Sequence, residues 1–282
     1  MPYLVLHLFF VCSFGLIVKH SEASGRNLLA VGAVNYVVAA VASTVAAVPW
    51  VGPPVSSATW ITGLAGGVTY VTTFWLMMRG LRRSGISITW STIRLSVLVS
   101  VLFSIVYAGE RPGGLQVVGM ALVLMALPLL SARQGDAARS SLLTEGLFIA
   151  LLFFSAGGTN LAAKAFDVWG AESERAIYVL VLFVAASLLS VAGLWRSRTR
   201  VALADLWPGL ALGLVNLATT HYLLLALGAL PGVVVFPVSS AVSIVVTSLA
   251  GVAFWRERLG RLNVVGIAVA VVAVVLINIP GA

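Results

Sequence analysis

Arg94 is the side chain of this sequence that fits least well with its neighbours. It stands in the segment ISITWSTIRLSVLVS (residues 86–100), among apolar and hydroxyl residues. A guanidinium group can hold a carboxylate or a phosphate through two parallel hydrogen bonds. The alternative is that Arg94 pairs with carbonyl groups at a helix end, or extends its charge along a water-filled vestibule. We therefore treat Arg94 as a candidate site for a substrate anion.

A second polar group lies in the segment NLATTHY (residues 216–222). Asn216 and Tyr222 can donate and accept hydrogen bonds, and His221 can titrate near neutral pH. The competing interpretation of His221 is a buried histidine that is satisfied by a neighbouring helix. Weaker candidates, which could equally hold helices together or anchor them at the membrane interface, are Asn35, Tyr36, Asn160, Lys164 and His7.

The elements that carry these residues follow from the composition. The chain has 282 residues, of which 60% are hydrophobic and 9% are charged, and its mean hydropathy is +1.07. Continuous apolar runs of about 20 residues match the thickness of a bilayer core, and they do not alternate as barrel strands do. The sequence therefore predicts an all-α membrane protein with ten transmembrane helices. The predicted spans are 2–18, 28–48, 60–79, 85–107, 114–131, 142–164, 175–195, 207–229, 231–254 and 262–280.

Arg94 would then lie about nine residues into the fourth span, or roughly 14 Å deep and close to the membrane midplane. The first run has no basic segment before it and no small-residue cleavage site, so we expect a retained helix and not a signal peptide. The single cysteine, Cys12, excludes an internal disulfide and a cysteine-based metal site. The net charge of +8 is explained by loop arginines that face anionic lipid head groups, so no nucleic-acid partner is expected.

The two halves of the chain repeat each other at an offset of 147 residues. YAGERPGGLQVVG (107–119) is echoed by FWRERLGRLNVVG (254–266). The pairs that composition alone does not explain are Trp60/Trp207, Gly66/Gly213, Thr72-Thr73/Thr219-Thr220, Gly85/Gly232, Glu110/Glu257, Arg111/Arg258 and Gly119/Gly266. Five helices are an odd number, so the second copy must enter the membrane from the opposite side. We predict an inverted repeat with halves 1–135 and 141–282, and a binding site between them.

The repeat also aligns Phe74 and Trp75 in the third helix with His221 and Tyr222 in the eighth. Both halves therefore carry aromatic side chains at equivalent positions. We predict that these two pairs line opposite walls of one cavity. The repeated glycines, among them Gly119, are expected to let neighbouring helices approach closely.

The arrangement resembles the drug/metabolite transporter superfamily in its ten-helix EamA form. The features that carry the resemblance are Lys19 and Lys164 near the end of the first helix of each half, Pro237 at the opening of a fourth helix, the Glu-Arg pairs, and a glycine-containing last helix. The resemblance implies two five-helix repeats around a central cavity that moves small organic solutes such as amino acids. In the first half, Trp90 stands where Pro237 has its counterpart, and Arg94 stands opposite Ala241.

All nine acidic residues fall in predicted loops or at helix ends, so no carboxylate is available at the midplane to exchange a proton for a cationic drug. The sequence also contains no P-loop, no metal-ligand spacing and no nucleophile elbow. These features favour a secondary transporter over an enzyme. The expected substrate is a small anionic or zwitterionic metabolite. The alternatives are a multidrug or lipid-linked sugar carrier of the same fold, and a membrane enzyme that acts on a lipid. We expect a monomer in a bacterial plasma membrane and no cofactor. The expected partners are a small-molecule substrate and the lipid bilayer.

The lysines and arginines are distributed unevenly between the predicted connections. Thirteen fall in odd-numbered connections and three in even-numbered ones. The positive-inside rule places the odd connections in the cytoplasm and both termini outside. The family resemblance implies the opposite orientation, and we follow the charge rule.

Overall fold

The structure is a computed structural model that describes residues 1–48, 54–83, 89, 92–131, 142–255 and 260–277. Within these ranges the elements are ten α-helices and one short 3₁₀ turn, Glu172–Glu174, with no strand. The helices are α1 (Pro2–Ala23), α2 (Leu28–Ala47), α3 (Ser57–Arg83), α4 (Val97–Val106), α5 (Gly114–Ser131), α6 (Leu142–Trp169), α7 (Arg175–Arg196), α8 (Leu203–Ala229), α9 (Gly232–Trp255) and α10 (Arg261–Ile277). The all-α membrane fold predicted from the sequence is confirmed.

Seven helices of the described chain are long and apolar enough to cross a membrane, and three shorter apolar helices, Thr92–Val106, Gly114–Ala126 and Val264–Ile277, accompany them. Each of the ten predicted spans overlaps one of these helices. Several helices extend beyond the predicted spans, because a helix continues into the interface after its apolar residues end. α6 reaches Trp169, so Lys164, which the charge count assigned to an even-numbered connection, lies inside a helix.

Local sequence signals account for the turn between α1 and α2. Gly25 has a φ of +65°, a conformation that glycine adopts without steric strain. The N–H groups of Gly25 and Arg26 donate to the carbonyls of Glu22 and Ser21, which closes the last turn of α1. Asn27 then caps α2, because its side-chain oxygen accepts from the N–H of Leu29.

The chain divides into two compact units. Unit 1 contains Met1–Phe74 and Leu161–Ala229, and unit 2 contains Trp75–Asn160 and Leu230–Ala282. In each unit, segments from the first part of the sequence pack against segments from the second part. In unit 1, α1 and α2 contact α8, and α2 also contacts α7. In unit 2, α5 contacts α10, and α9 contacts α4, α5 and α10.

Glycines allow close contacts between helices in unit 1. Glycines of α3 face α7, and glycines of α8 face α2. A Cβ atom built at Gly63 of α3 would lie 2.9 Å from Val181 and 3.3 Å from the carbonyl of Tyr178 in α7. At Gly209 of α8, the corresponding atom would lie 2.5 Å from Val34 and 3.2 Å from the carbonyl of Val31 in α2.

A second pair of close contacts occurs one turn further along α3 and α8. Gly66 lies against Leu182 of α7, and Gly213 lies against Asn35 and Val38 of α2. Gly66 and Gly213 are related by the offset of 147 residues, and Gly63 and Gly209 differ from it by one residue. These contacts support an internal repeat, and its inverted orientation stays a prediction.

In unit 2, Gly119 of α5 confirms the expectation of a close approach. A Cβ atom at this position would lie 2.7 Å from Ile277 and 2.9 Å from the carbonyl of Ala273 in α10. Even an alanine would therefore force α5 and α10 apart.

Candidate substrate-binding residues

Polar and aromatic side chains of α1 and α8 meet in unit 1. Nδ1 of His7 lies 3.0 Å from the carbonyl oxygen of Thr219, and since a carbonyl only accepts, Nδ1 carries the proton. The ring of Phe10 stacks on that of Tyr222, with centroids 5.5 Å apart and planes 3° apart. His221 is exposed and meets the Tyr222 ring edge-on at 5.4 Å.

A chain of hydrogen bonds connects the centres of α2, α3 and α8. The hydroxyl of Tyr36 donates to the carbonyl of Tyr70 at 3.2 Å, and the hydroxyl of Tyr70 lies 3.1 Å from Oγ1 of Thr220. Oγ1 of Thr220 donates to the carbonyl of Asn216 at 3.0 Å. Nδ2 of Asn216 then donates to Oδ1 of Asn35 at 3.2 Å, which returns the chain to α2.

Tyr70 is half-buried, and the other residues of this chain of hydrogen bonds are buried. Asn216 and Tyr70 lie at the midpoints of α8 and α3. Polar groups at the middle of membrane helices are candidates for function by default, because burying them in hydrocarbon is unfavourable. One donor, Nδ2 of Asn35, has no partner among the described residues. The predicted candidate Asn216 therefore contacts another predicted candidate, Asn35.

Phe74 and Trp75 lie on either side of the boundary between the two units. Phe74 is buried against α2, where its ring meets that of Tyr36 edge-to-face at 6.3 Å. Trp75 is half-buried. Tyr222 contacts α1 and Phe74 contacts α2, so the prediction that both pairs line one cavity stays a prediction.

Lys164 is buried and forms an ion pair within its own helix. Its Nζ lies 2.7 Å from Oδ2 of Asp167, one turn later in α6. The carboxylate neutralises an ammonium group that would otherwise be unfavourable among apolar side chains. Asn160, one turn earlier, is half-buried.

Arg94 lies in unit 2, in the helical residues that precede α4, and it is half-buried. The regular helix is interrupted at Ser96, whose hydroxyl donates to the carbonyl of Ile93 at 2.6 Å. Residues 84–88, 90 and 91 lie outside the described residues, so the predicted depth of Arg94 stays a prediction. Trp90 is among these residues, so the predicted difference from Pro237 at that position also stays a prediction.

Two buried carboxylates of unit 1 bind the starts of neighbouring helices. Glu174, just before α7, accepts from the N–H and hydroxyl of Ser56, at 3.0 and 2.6 Å, and from the hydroxyl of Thr59. Asp205, in the first turn of α8, accepts from the N–H of Asn27 at 3.2 Å and of Ala202 at 3.2 Å. Both carboxylates lie where helix dipoles favour negative charge.

The same arrangement occurs in unit 2. The two carboxylate oxygens of Glu110 accept from the N–H groups of Gly232 and Val233, each at 2.9 Å, and so cap α9. The structure adds a specific partner for Glu110, the first residues of α9.

Sequence reasoning did not select Tyr70, Tyr178 or the capping role of the carboxylates. Tyr70 and Tyr178 are single tyrosines in apolar helices, without a motif or a repeat counterpart of the same type. Their significance depends on contacts between helices that are far apart in sequence. The one available signal was the mid-span position of Tyr70, the same signal that selected Asn35 and Asn216.

These features define an α-helical, multi-pass membrane protein with polar side chains at the centres of its helices. Residues 1–132 match the model of the EamA-like transporter family, so the resemblance to this branch of the drug/metabolite transporter superfamily is confirmed over that part of the chain. The match covers slightly less than half of the chain, and the members of that family are membrane transporters.

No curated protein matches the sequence. Among solved structures, 28 chains match. One of them, a crystal structure of a protein, has a TM-score of 0.77 and 15% sequence identity, and the match covers 99% of each chain. At this identity the likeness shows the fold alone.

Proposed function

We propose that this protein is a secondary transporter or facilitator of a small organic metabolite that carries a carboxylate or another anionic group. Transport would occur by alternating access, with one half of the repeat rocking against the other. An amino acid or a similar zwitterion fits this description. The proposed location is a bacterial plasma membrane.

The observation that carries the proposal is the state of three carboxylates, of which Glu174 and Asp205 are buried and Asp167 is half-buried. Glu174 and Asp205 each accept hydrogen bonds from the start of a helix, and Asp167 is paired with Lys164. An exchanger of cationic drugs needs a carboxylate that can alternate between a proton and the cation. In the described chain, these three carboxylates are already committed to structural partners.

Arg94 supports an anionic or zwitterionic substrate. It is the one arginine that the sequence places inside an apolar span and not in a connection or at a helix end. A guanidinium at that position would bind a carboxylate by a bidentate, charge-assisted contact.

The experiment is counterflow in proteoliposomes. A thermal-shift screen against amino acids, sugar phosphates and nucleosides first selects ligands of the purified protein. Vesicles loaded with the unlabelled ligand should then accumulate the labelled ligand transiently, and the label should be recovered chemically unchanged. Exchange of lipophilic cations alone would favour a multidrug carrier, and a chemically altered label would favour a membrane enzyme.

A further inference from the structure

Tyr178 of α7 is wholly buried, and its hydroxyl group has no hydrogen-bond partner among the residues that the structure describes. Its ring stacks on that of Phe166, with centroids 4.3 Å apart, which restricts the direction of the hydroxyl. Nearly all buried polar atoms in native proteins have a protein or water partner, because an unpaired one is destabilising. Tyr178 therefore needs a partner that no described side chain supplies.

The hydroxyl of Tyr178 lies against α3 at a residue without a side chain. A Cβ atom built at Gly66 would be 3.4 Å from this hydroxyl oxygen. Tyr70 follows Gly66 by one turn, and side chains on a helix lean over the preceding turn, so Tyr70 covers the same face of α3. The Tyr70 ring also reaches α7, where it meets Phe183 edge-to-face at 6.1 Å.

The hydrogen bonds of Thr220 determine what the Tyr70 hydroxyl can still accept. Oγ1 of Thr220 gives its proton to the carbonyl of Asn216, so Tyr70 must be the donor in its bond to Thr220. The oxygen of Tyr70 therefore keeps an acceptor position, while the hydroxyl of Tyr178 has a donor to place. None of these groups is charged, which favours a neutral ligand over an ion.

We propose that an ordered water molecule binds on the face of α3 at Gly66 and bridges the hydroxyl groups of Tyr178 and Tyr70. The water accepts from the hydroxyl of Tyr178 and donates to the oxygen of Tyr70. The water allows α3 and α7 to pack as closely as Gly66 permits while the buried hydroxyl of Tyr178 keeps a hydrogen-bond partner. This site lies within unit 1 and does not depend on which solute the protein transports.

A high-resolution structure of the protein in a lipid nanodisc tests the site directly. We expect water density within hydrogen-bonding distance of the Tyr178 hydroxyl. In parallel, thermal unfolding is measured for Tyr178→Phe, Tyr70→Phe and the double variant, with Tyr3→Phe, at an exposed position, as the control. Tyr178→Phe and Tyr70→Phe should each lower Tm by a few degrees. The double variant should lower Tm by less than the sum, because both substitutions disrupt the same bridge.

Absence of density at the Tyr178 hydroxyl overturns the proposal, and so does a Tyr178→Phe variant whose Tm is unchanged or raised. Additive effects of the two substitutions would exclude the bridge even if density is present. If Tyr178→Phe does not accumulate as a folded protein, the density in the unmodified protein decides alone.

Discussion

At the scale of single residues, some of the candidate side chains contact one another. Asn35 and Asn216 contact each other, and Lys164 neutralises Asp167, so these groups have structural partners within unit 1. His221 has an exposed side chain and Arg94 a half-buried one. The two residues therefore serve as tests of the proposed substrate site.

Arg94→Ala should weaken uptake of an anionic or zwitterionic substrate by roughly tenfold to a hundredfold, the loss expected for one charge-assisted hydrogen-bonded contact. Arg94→Lys should recover part of the activity, since it keeps the charge and loses the bidentate geometry. Initial rates in proteoliposomes measure both effects, and size-exclusion profiles in detergent verify folding. Unchanged kinetics in Arg94→Ala would remove this residue from the site.

His221 and Trp75 should both face the transport pathway. Because Cys12 is the only cysteine, a Cys12→Ala background allows His221→Cys and Trp75→Cys to be labelled individually. Substrate should slow the reaction of each cysteine with a water-soluble maleimide. A cysteine at Val5, an exposed position on α1, is the control. Labelling at 221 or 75 that substrate does not affect would argue against a shared cavity.

At the scale of the helix, the starts of α2 and α8 are joined by Asp205, and the starts of α3 and α7 by Glu174. The two contacts occupy equivalent places in the repeat, although the carboxylate is carried by a different helix in each. Each carboxylate satisfies N–H groups that a helix start leaves without an internal partner. Loss of one cap should therefore loosen two helices together.

Glu174→Gln should lower the free energy of unfolding by about 1.5–3 kcal/mol, the range for hydrogen bonds to a charged group. The matched control is Glu172→Gln, two residues earlier, where the carboxylate side chain is 84% exposed and its ion pair with Arg175 contributes about 1 kcal/mol at most. Thermal unfolding in detergent distinguishes the two variants. Equal shifts would show that Glu174 contributes no more than a surface charge.

Gly213→Ala should destabilise the protein by about 1–3 kcal/mol, because the added methyl group would lie 2.7 Å from the carbonyl of Asn35 and force α8 away from α2. Gly146→Ala in α6, with no atom within 4 Å of the added methyl group, should stabilise by about 0.5–1 kcal/mol through helix propensity alone. The prediction fails if the two alanines shift Tm in the same direction.

The number and type of helices could be predicted from the sequence, because a bilayer requires long apolar segments and the runs are unmistakable. Their ends could not, because a helix continues into the interface wherever its backbone finds caps, as α6 does to Trp169. Asn216 was selected by its polarity within an apolar span. Its partner Asn35 and the bond from Tyr70 to Thr220 depend on which helices meet, and hydropathy does not contain that information.

At the scale of the whole molecule, the distribution of positive charge predicts the orientation of the protein in the membrane, with both termini outside. A reporter that is active only in the cytoplasm should be silent when fused after Ala282. The same reporter fused after Arg200, in the connection between α7 and α8, should be active, because Arg198 and Arg200 lie in that connection and Arg196 ends α7. The reverse pattern would establish the orientation that the family resemblance implies.

The reciprocal glycine contacts of unit 1 constrain the order in which the chain can mature during synthesis. α2 is made early, but the glycine face that covers it belongs to α8, and the glycines of α3 require α7. The first three helices must therefore remain in the bilayer with incomplete contacts while the following four helices are translated. During this interval, Tyr36 already has its partner Tyr70 in α3, but Asn35 lacks Asn216, which α8 supplies. The nascent chain must therefore hold the amide of Asn35 in the bilayer until α8 arrives.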